Sequence, residues 1–140
     1  MNILDLQRKA ESGSGVAQCV LGIAYLDGID VAVDYDKAFR LLTAAAAKGR
    51  SRAVLALARM HANGLGVPVN LQEAIRLYET VGRVEFLAAI ELGRIYSRGV
   101  GIPTDPSKAS SWYQVAVALG CESQEGEEIL EAKQYLERDE

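Results

Sequence analysis

One histidine, two cysteines and a pair of neighbouring glutamates are the side chains in this 140-residue sequence from which chemistry would be expected. As a general base, His61 would need a nucleophile or a carboxylate beside it, and the sequence announces neither. Two other stretches of the chain carry Tyr25 and Tyr96 in the corresponding place, so His61 is expected as a packed aromatic substitute. Cys19 and Cys121 lack C-x-x-C spacing, which leaves no zinc site and no disulfide framework, only two thiols expected to be buried or half-buried. Glu127 and Glu128 fall in an acidic terminal stretch and are expected on a solvated helix surface. The glycine pairs in Gly64-Leu65-Gly66 and Gly99-Val100-Gly101 suggest a phosphate loop. Such a loop needs a strand before it, a helix starting at the glycines and, in its commonest form, Gly-Lys-Ser/Thr; here the glycines follow a helical pattern and that tripeptide is absent. The sequence therefore predicts no catalytic, cofactor-binding or metal-binding residues, and a protein that is not an enzyme.

The elements around these residues repeat. Gly28, Gly64 and Gly99 stand 36 and 35 residues apart, and so do Ala38, Ala74 and Ala109, and Ala17, Ala53 and Ala88. A period of this length marks stacked supersecondary units, none of which can bury its apolar face alone. Each unit reads as two helices. Helix A is expected over 16–26, 52–62 and 87–97, with Ala17, Leu21 and Tyr25 four apart on one face in the first copy. A small residue in its middle (Gly22, Ala58 or Gly93) implies close approach by another helix, because glycine inside a helix otherwise costs about 1 kcal/mol. Helix B is expected over 36–48, 71–81 and 106–119. Its inner face carries Leu41 and Leu42 in the first copy, Leu77 and Tyr78 in the second, Trp112 and Tyr113 in the third. Glycine ends helix A, and Asp34, Asn70 or Asp105 opens helix B. The stretch 2–12 fits a bare B helix that caps the start. The stretch 123–137, with Ile129, Ala132 and Leu136 on one stripe, fits a terminal cap with a polar outer face. Eight helices result.

Charge divides unevenly along the chain. Residues 122–140 hold eight acids and two bases, while the preceding 121 hold 13 bases and 11 acids. The overall charge of -4 is too mild to decide a partner, but a pI near 5.1 and the lack of an aromatic stacking set argue against nucleic acid. No apolar run of 18 residues is present, so no membrane span is expected, and Asp5 and Arg8 interrupt the N-terminal stretch where a signal peptide would be apolar. The expected location is cytoplasmic.

The motif Leu92-Gly93, Tyr96, Gly99, Gly101, Asp105, Lys108-Ala109, Trp112-Tyr113, Ala116 and Gly120 resembles the Sel-like repeat family, a relative of the tetratricopeptide repeat. Leu21-Gly22, Tyr25, Gly28, Asp34, Lys37-Ala38, Ala45-Ala46 and Gly49 match it nearly as well. The second copy departs from it at Ala58, His61, Glu73, Gly82 and Glu85. The resemblance implies an all-α fold: a right-handed α/α superhelix, or solenoid, of three repeats with capping helices, used for protein–protein interaction. A single domain over 1–140 is expected, with a cap at 1–15, repeats at 16–50, 51–85 and 86–120, and an acidic cap at 121–140.

The tetratricopeptide relationship also implies which helix A positions line a concave face. These are Val16, Cys19, Ile23, Leu26 and Asp27 in the first copy, Arg52, Leu55, Arg59, Ala62 and Asn63 in the second, and Leu87, Ile90, Arg94, Ser97 and Arg98 in the third. Within that set Cys19, Leu55 and Ile90 form an expected apolar row, beside Ile23, Arg59 and Arg94. Arg52 and Arg98 add positive charge, and Asn63 offers hydrogen bonds to a backbone. An acidic or amphipathic segment of another protein suits this face. On this expectation, Arg59→Glu with Arg94→Glu abolishes binding and leaves helical content unchanged. A toxin-neutralising immunity protein and, further off, a ligand-binding or hydrolase-like activity stay as alternatives; homodimerisation also stays open. The acidic C-terminal helix is expected to cap the stack, with gating of the basic row as the competing idea.

Overall fold

A computed structural model describes residues 2–120 and 126–138. Among the described residues the chain is all α: α1 (Ile3–Glu11), α2 (Gly15–Asp27), α3 (Tyr35–Ala47), α4 (Ser51–Asn63), α5 (Leu71–Val81), α6 (Phe86–Arg98), α7 (Pro106–Gly120) and α8 (Glu127–Arg138). The expected helices are present within a few residues of their predicted ends. Cys121 and the predicted start of the last helix lie outside the described residues.

The joint from helix A to helix B is built the same way three times. Gly28, Gly64 and Gly99 each end their helix in the left-handed region, with φ of 71°, 67° and 66°, where a side chain would be strained. The amide of Asp34 then donates to the Tyr25 carbonyl at 3.0 Å, that of Asn70 to His61 at 2.9 Å, and that of Asp105 to Tyr96 at 2.9 Å. The side chains of Asp34, Asn70 and Asp105 in turn accept from the amides of Lys37, Glu73 and Lys108, capping each B helix. Each loop thus gives its polar backbone groups partners while reversing the chain.

The chain divides into two compact units, Met1–Leu77 and Tyr78–Glu140. In the first, α2 packs on α1, α3 and α4. Ala17, Cys19, Leu21, Tyr25, Leu42, Ala53, Leu57 and Met60 form its core, and Val31 and Val67 plug the loops into it. Gly22 lets Leu42 approach: a Cβ at Gly22 would stand 2.8 Å from that side chain. The buried Gln18 is satisfied on both sides, donating to the Ala10 carbonyl at 3.1 Å and accepting from the Lys48 ammonium at 2.8 Å. The second unit packs α7 against α6 and α8. Ile90, Leu92, Tyr113, Ala116, Ile129 and Ala132 are buried there. Gly93 receives the flat ring of Tyr113, whose atoms lie 2.7–2.8 Å from where a Cβ would stand.

Candidate partner-binding faces

In the first unit, α2 and α4 lie side by side and carry six of the nine residues expected to meet a partner. Arg52 is exposed and lines a groove of about 280 Å³ with Val16, Cys19, Val20 and Arg50. Val16 and Val20 are 51% and 38% exposed, so the groove offers apolar surface between two arginines. Further along the same pair of helices, Ile23 is half-buried and Arg59 reaches Asp27 at 3.5 Å. That ion pair is open to water and weakly held, which leaves Arg59 available for a better acid. The Asn63 amide donates one N–H to the carbonyl of Arg59 at 3.1 Å, which leaves its second N–H and its oxygen for other partners.

The expected apolar row belongs to the core. Cys19 is 7% exposed, Leu55 9% and Ile90 0%, so none of the three presents the surface that anchoring a partner requires. The reason is visible around Cys19: this side of α2 turns toward the core shared with Ala53, Ala56 and Met60 of α4. The groove's apolar surface comes instead from Val16, one turn away from Cys19, and from Val20, which the sequence reading left out.

Arg94 in the second unit has a different task. Its guanidinium donates from Nε and an NH2 group to both oxygens of Glu131, at 3.0 and 2.7 Å to Oε2 and 3.2 Å to Oε1, and from the other NH2 group to Glu91 at 2.6 Å. Arg98 stands 3.6 Å from the same Glu131. All three nitrogens of Arg94 are thus engaged, and it ties α8 to α6. The Glu131 hydrogen bond, before all else, raises the Arg94 pKa, and the Arg94 hydrogen bond holds the Glu131 carboxyl below the usual glutamate range. No local pattern marks this pair, which spans 37 residues; the opposite charge of the two segments was the only sequence signal.

A pH dependence follows. A carboxyl with a depressed folded-state pKa stabilises fully above its ordinary value of about 4.3 and loses that contribution as pH falls through the lower folded value. Glu131→Gln is expected to destabilise the fold by about 1–2 kcal/mol at pH 7, lowering the melting temperature by several degrees. At acid pH, below that depressed folded-state value, the wild-type advantage shrinks toward zero. Melting curves followed by circular dichroism at neutral and at acid pH check this.

The aromatic positions of the A helices have structural work. Lys37 and Lys108 place their ammonium groups 5.2 Å from the ring centres of Tyr25 and Tyr96. Burial first, and the hydrogen bond to Glu79 at 3.1 Å second, push the Tyr96 phenol up to about 12. His61 meets Phe39 edge-on, with ring centres 6.2 Å apart. Among the described residues no group of three or more His, Cys, Asp or Glu side chains is arranged to hold a metal, and no helix is long and apolar enough to cross a membrane.

Antiparallel helix pairs repeating with one joint geometry define a helical repeat protein. The chain belongs to the Sel1 repeat family, whose pattern matches residues 15–49, 51–80 and 87–121. Such repeats are generally protein-interaction modules and typically non-catalytic. The chain is similar to a Sel1 repeat protein from Oxalobacter formigenes, with 33% identity and a TM-score of 0.73 over 96% of each chain. It is also similar to c5321, a protective antigen of uropathogenic Escherichia coli strains displaying an SLR fold, with 30% identity and a TM-score of 0.78. That match covers 86% of this chain and 26% of the other. No curated protein matches.

Proposed function

We propose that this protein is a non-enzymatic interaction module that holds an acidic or amphipathic segment of another protein along the α2/α4 face. The observation that carries this is the groove in which exposed Val16 and Val20 lie between Arg50 and Arg52, with the loosely held Arg59 further along the same helices. Apolar surface flanked by guanidinium groups favours a chain that alternates carboxylates with apolar side chains. Arg50, Arg52 and Arg59 steer and orient; Val16, Val20 and Ile23 supply contact area. A face of this size gives micromolar affinity for a short segment. The setting proposed is the cytoplasm, in keeping with cysteines whose spacing builds no disulfide framework.

Reversing two exposed charges tests the assignment. Arg52→Glu with Arg59→Glu is expected to weaken capture of the partner from native lysate at least 100-fold, roughly 1–2 kcal/mol for each reversed contact. Arg52 is exposed, and the half-exposed Arg59 gives up only a weak surface ion pair with Asp27, so the helical circular dichroism stays at the wild-type level. Undiminished capture by the folded double variant overturns the reading.

A further inference from the structure

The three repeats differ at one place on their B helices, and the difference opens a groove. In the third repeat that place is Trp112 of α7, whose ring packs onto the backbone of Gly82; a Cβ there would stand 2.6 Å from it. Arg83 lies over the indole, 5.8 Å from its centre. In the first repeat the equivalent of Trp112 is Leu41 and the equivalent of Gly82 is Ala10. The space the indole fills in the third repeat is here a groove of about 450 Å³ between α1, α2 and α3, floored by Ala10, Leu21, Leu41 and Ala44. That size falls among clefts that hold ligands, roughly 300–1,000 Å³.

The rim of the groove carries charge. Lys37 and Arg40 line it on the α3 side and Glu11 on the α1 side, all three exposed, so the cations outnumber the acid by one. The second repeat has Glu73 and Arg76 in these two positions, and they neutralise one another through an ion pair. The third has Lys108 and Ser111. Only the first repeat sets two cations beside the unfilled aromatic place. Tyr25, at the groove, accepts a hydrogen bond from Gln7 at 3.2 Å, which leaves its own hydroxyl proton to donate. Its counterpart Tyr96 instead donates to the carboxylate of Glu79.

The geometry points to a second docking site in the α1/α2/α3 groove, for a partner's aromatic side chain flanked by a carboxylate. The ring takes the place that Trp112 occupies in the third repeat, and the carboxylate meets Lys37, Arg40 and the Tyr25 hydroxyl. This site is distinct from the α2/α4 face and does not depend on it.

The test uses the full chain, labelled with nitrogen-15, and three peptides: acetyl-Ala-Trp-Asp-Ala-amide, its Asn analogue in place of Asp, and its Leu analogue in place of Trp. The Trp-Asp peptide is expected to give saturable shifts at the amides of Ala10, Tyr25, Lys37, Leu41 and Ala44, with a Kd on the order of 1 mM. The Asn analogue binds about tenfold more weakly and the Leu analogue gives no saturation. Leu41→Trp together with Ala10→Gly rebuilds the Trp112–Gly82 pair, fills the groove and removes the shifts. Arg40→Glu, an exposed change that leaves the groove's shape alone, reduces binding of the Trp-Asp peptide to the level of its Asn analogue. Equal binding of all three peptides, absence of saturation, or shifts that survive the filled groove overturn the proposal. So does concentration-dependent self-association that the filled groove abolishes, which would assign the groove to a second copy of this chain.

Discussion

Gly93→Val is expected to unfold the second unit under conditions in which the wild type is stable. The place where a Cβ would stand lies 2.7–2.8 Å from three atoms of the Tyr113 ring, and Tyr113 is itself only 2% exposed. A planar ring held on all sides cannot withdraw as a flexible side-chain end can, so either α6 and α7 separate or the core around Ile90 and Leu92 is remade. Overpacking of this kind costs about 1–3 kcal/mol and sometimes more. The gain from removing a helical glycine returns less than about 1 kcal/mol. A net loss of about 1–2 kcal/mol, more where the ring cannot move, is a sizeable share of the 5–15 kcal/mol typical of a domain. Trp112, the only tryptophan, sits on α7 beside Tyr113 and reports the change by fluorescence in a urea titration. A wild-type midpoint would mean that the close helix approach at Gly93 carries no weight.

Arg94→Glu is expected to release α8. The substitution removes four charged hydrogen-bond contacts and places a new carboxylate between Glu91 and Glu131. Breaking a fully buried pair costs about 3–5 kcal/mol; with the Arg94 side chain 27% exposed, about 2–4 kcal/mol is the appropriate range. Ile129 and Ala132, both buried against the unit, then lose their packing, so helical content falls and protease cuts near α8 appear. The sequence led to the opposite expectation, a change that spares the fold and removes only a partner. Reversing the second charge as well, Arg94→Glu with Glu131→Arg, is expected to recover most of the loss. A single Arg94→Glu variant with wild-type melting would return this arginine to the partner-facing set. Ile129 and Ala132 of α8 are buried in the second unit, and Glu131 pairs with Arg94 and Arg98.

The helix pairs were legible in the sequence because their joints leave little freedom. A left-handed residue at Gly28, Gly64 and Gly99 and an oxygen-bearing cap at Asp34, Asn70 and Asp105 are demands of the backbone, and they recur at a fixed spacing. Glycine in mid-helix at 22 and 93 announced close helix approach for the same reason. The partner face was legible only in part. Arg52 is exposed and Arg59 half-exposed on α4, whereas Cys19, Leu55 and Ile90 occupy one turn whose burial is decided by what packs on it, and a repeat pattern does not encode that. The pairing of Arg94 with Glu131 was not legible, because the two are remote in the chain. The first-repeat groove was hidden in a single substitution, Leu41 where the third repeat has Trp112, which looks conservative until the space left behind is seen.

The most direct test of the partner face is site-specific photo-cross-linking in native lysate. A benzophenone amino acid replaces Val16, which lines the α2/α4 groove, or Val100, which is 75% exposed on a loop of the second unit and serves as control. The account predicts one defined adduct from position 16, none of that mass from position 100, and its disappearance when Arg52→Glu and Arg59→Glu are added. No adduct from position 16, or the same adduct from both positions, would contradict it.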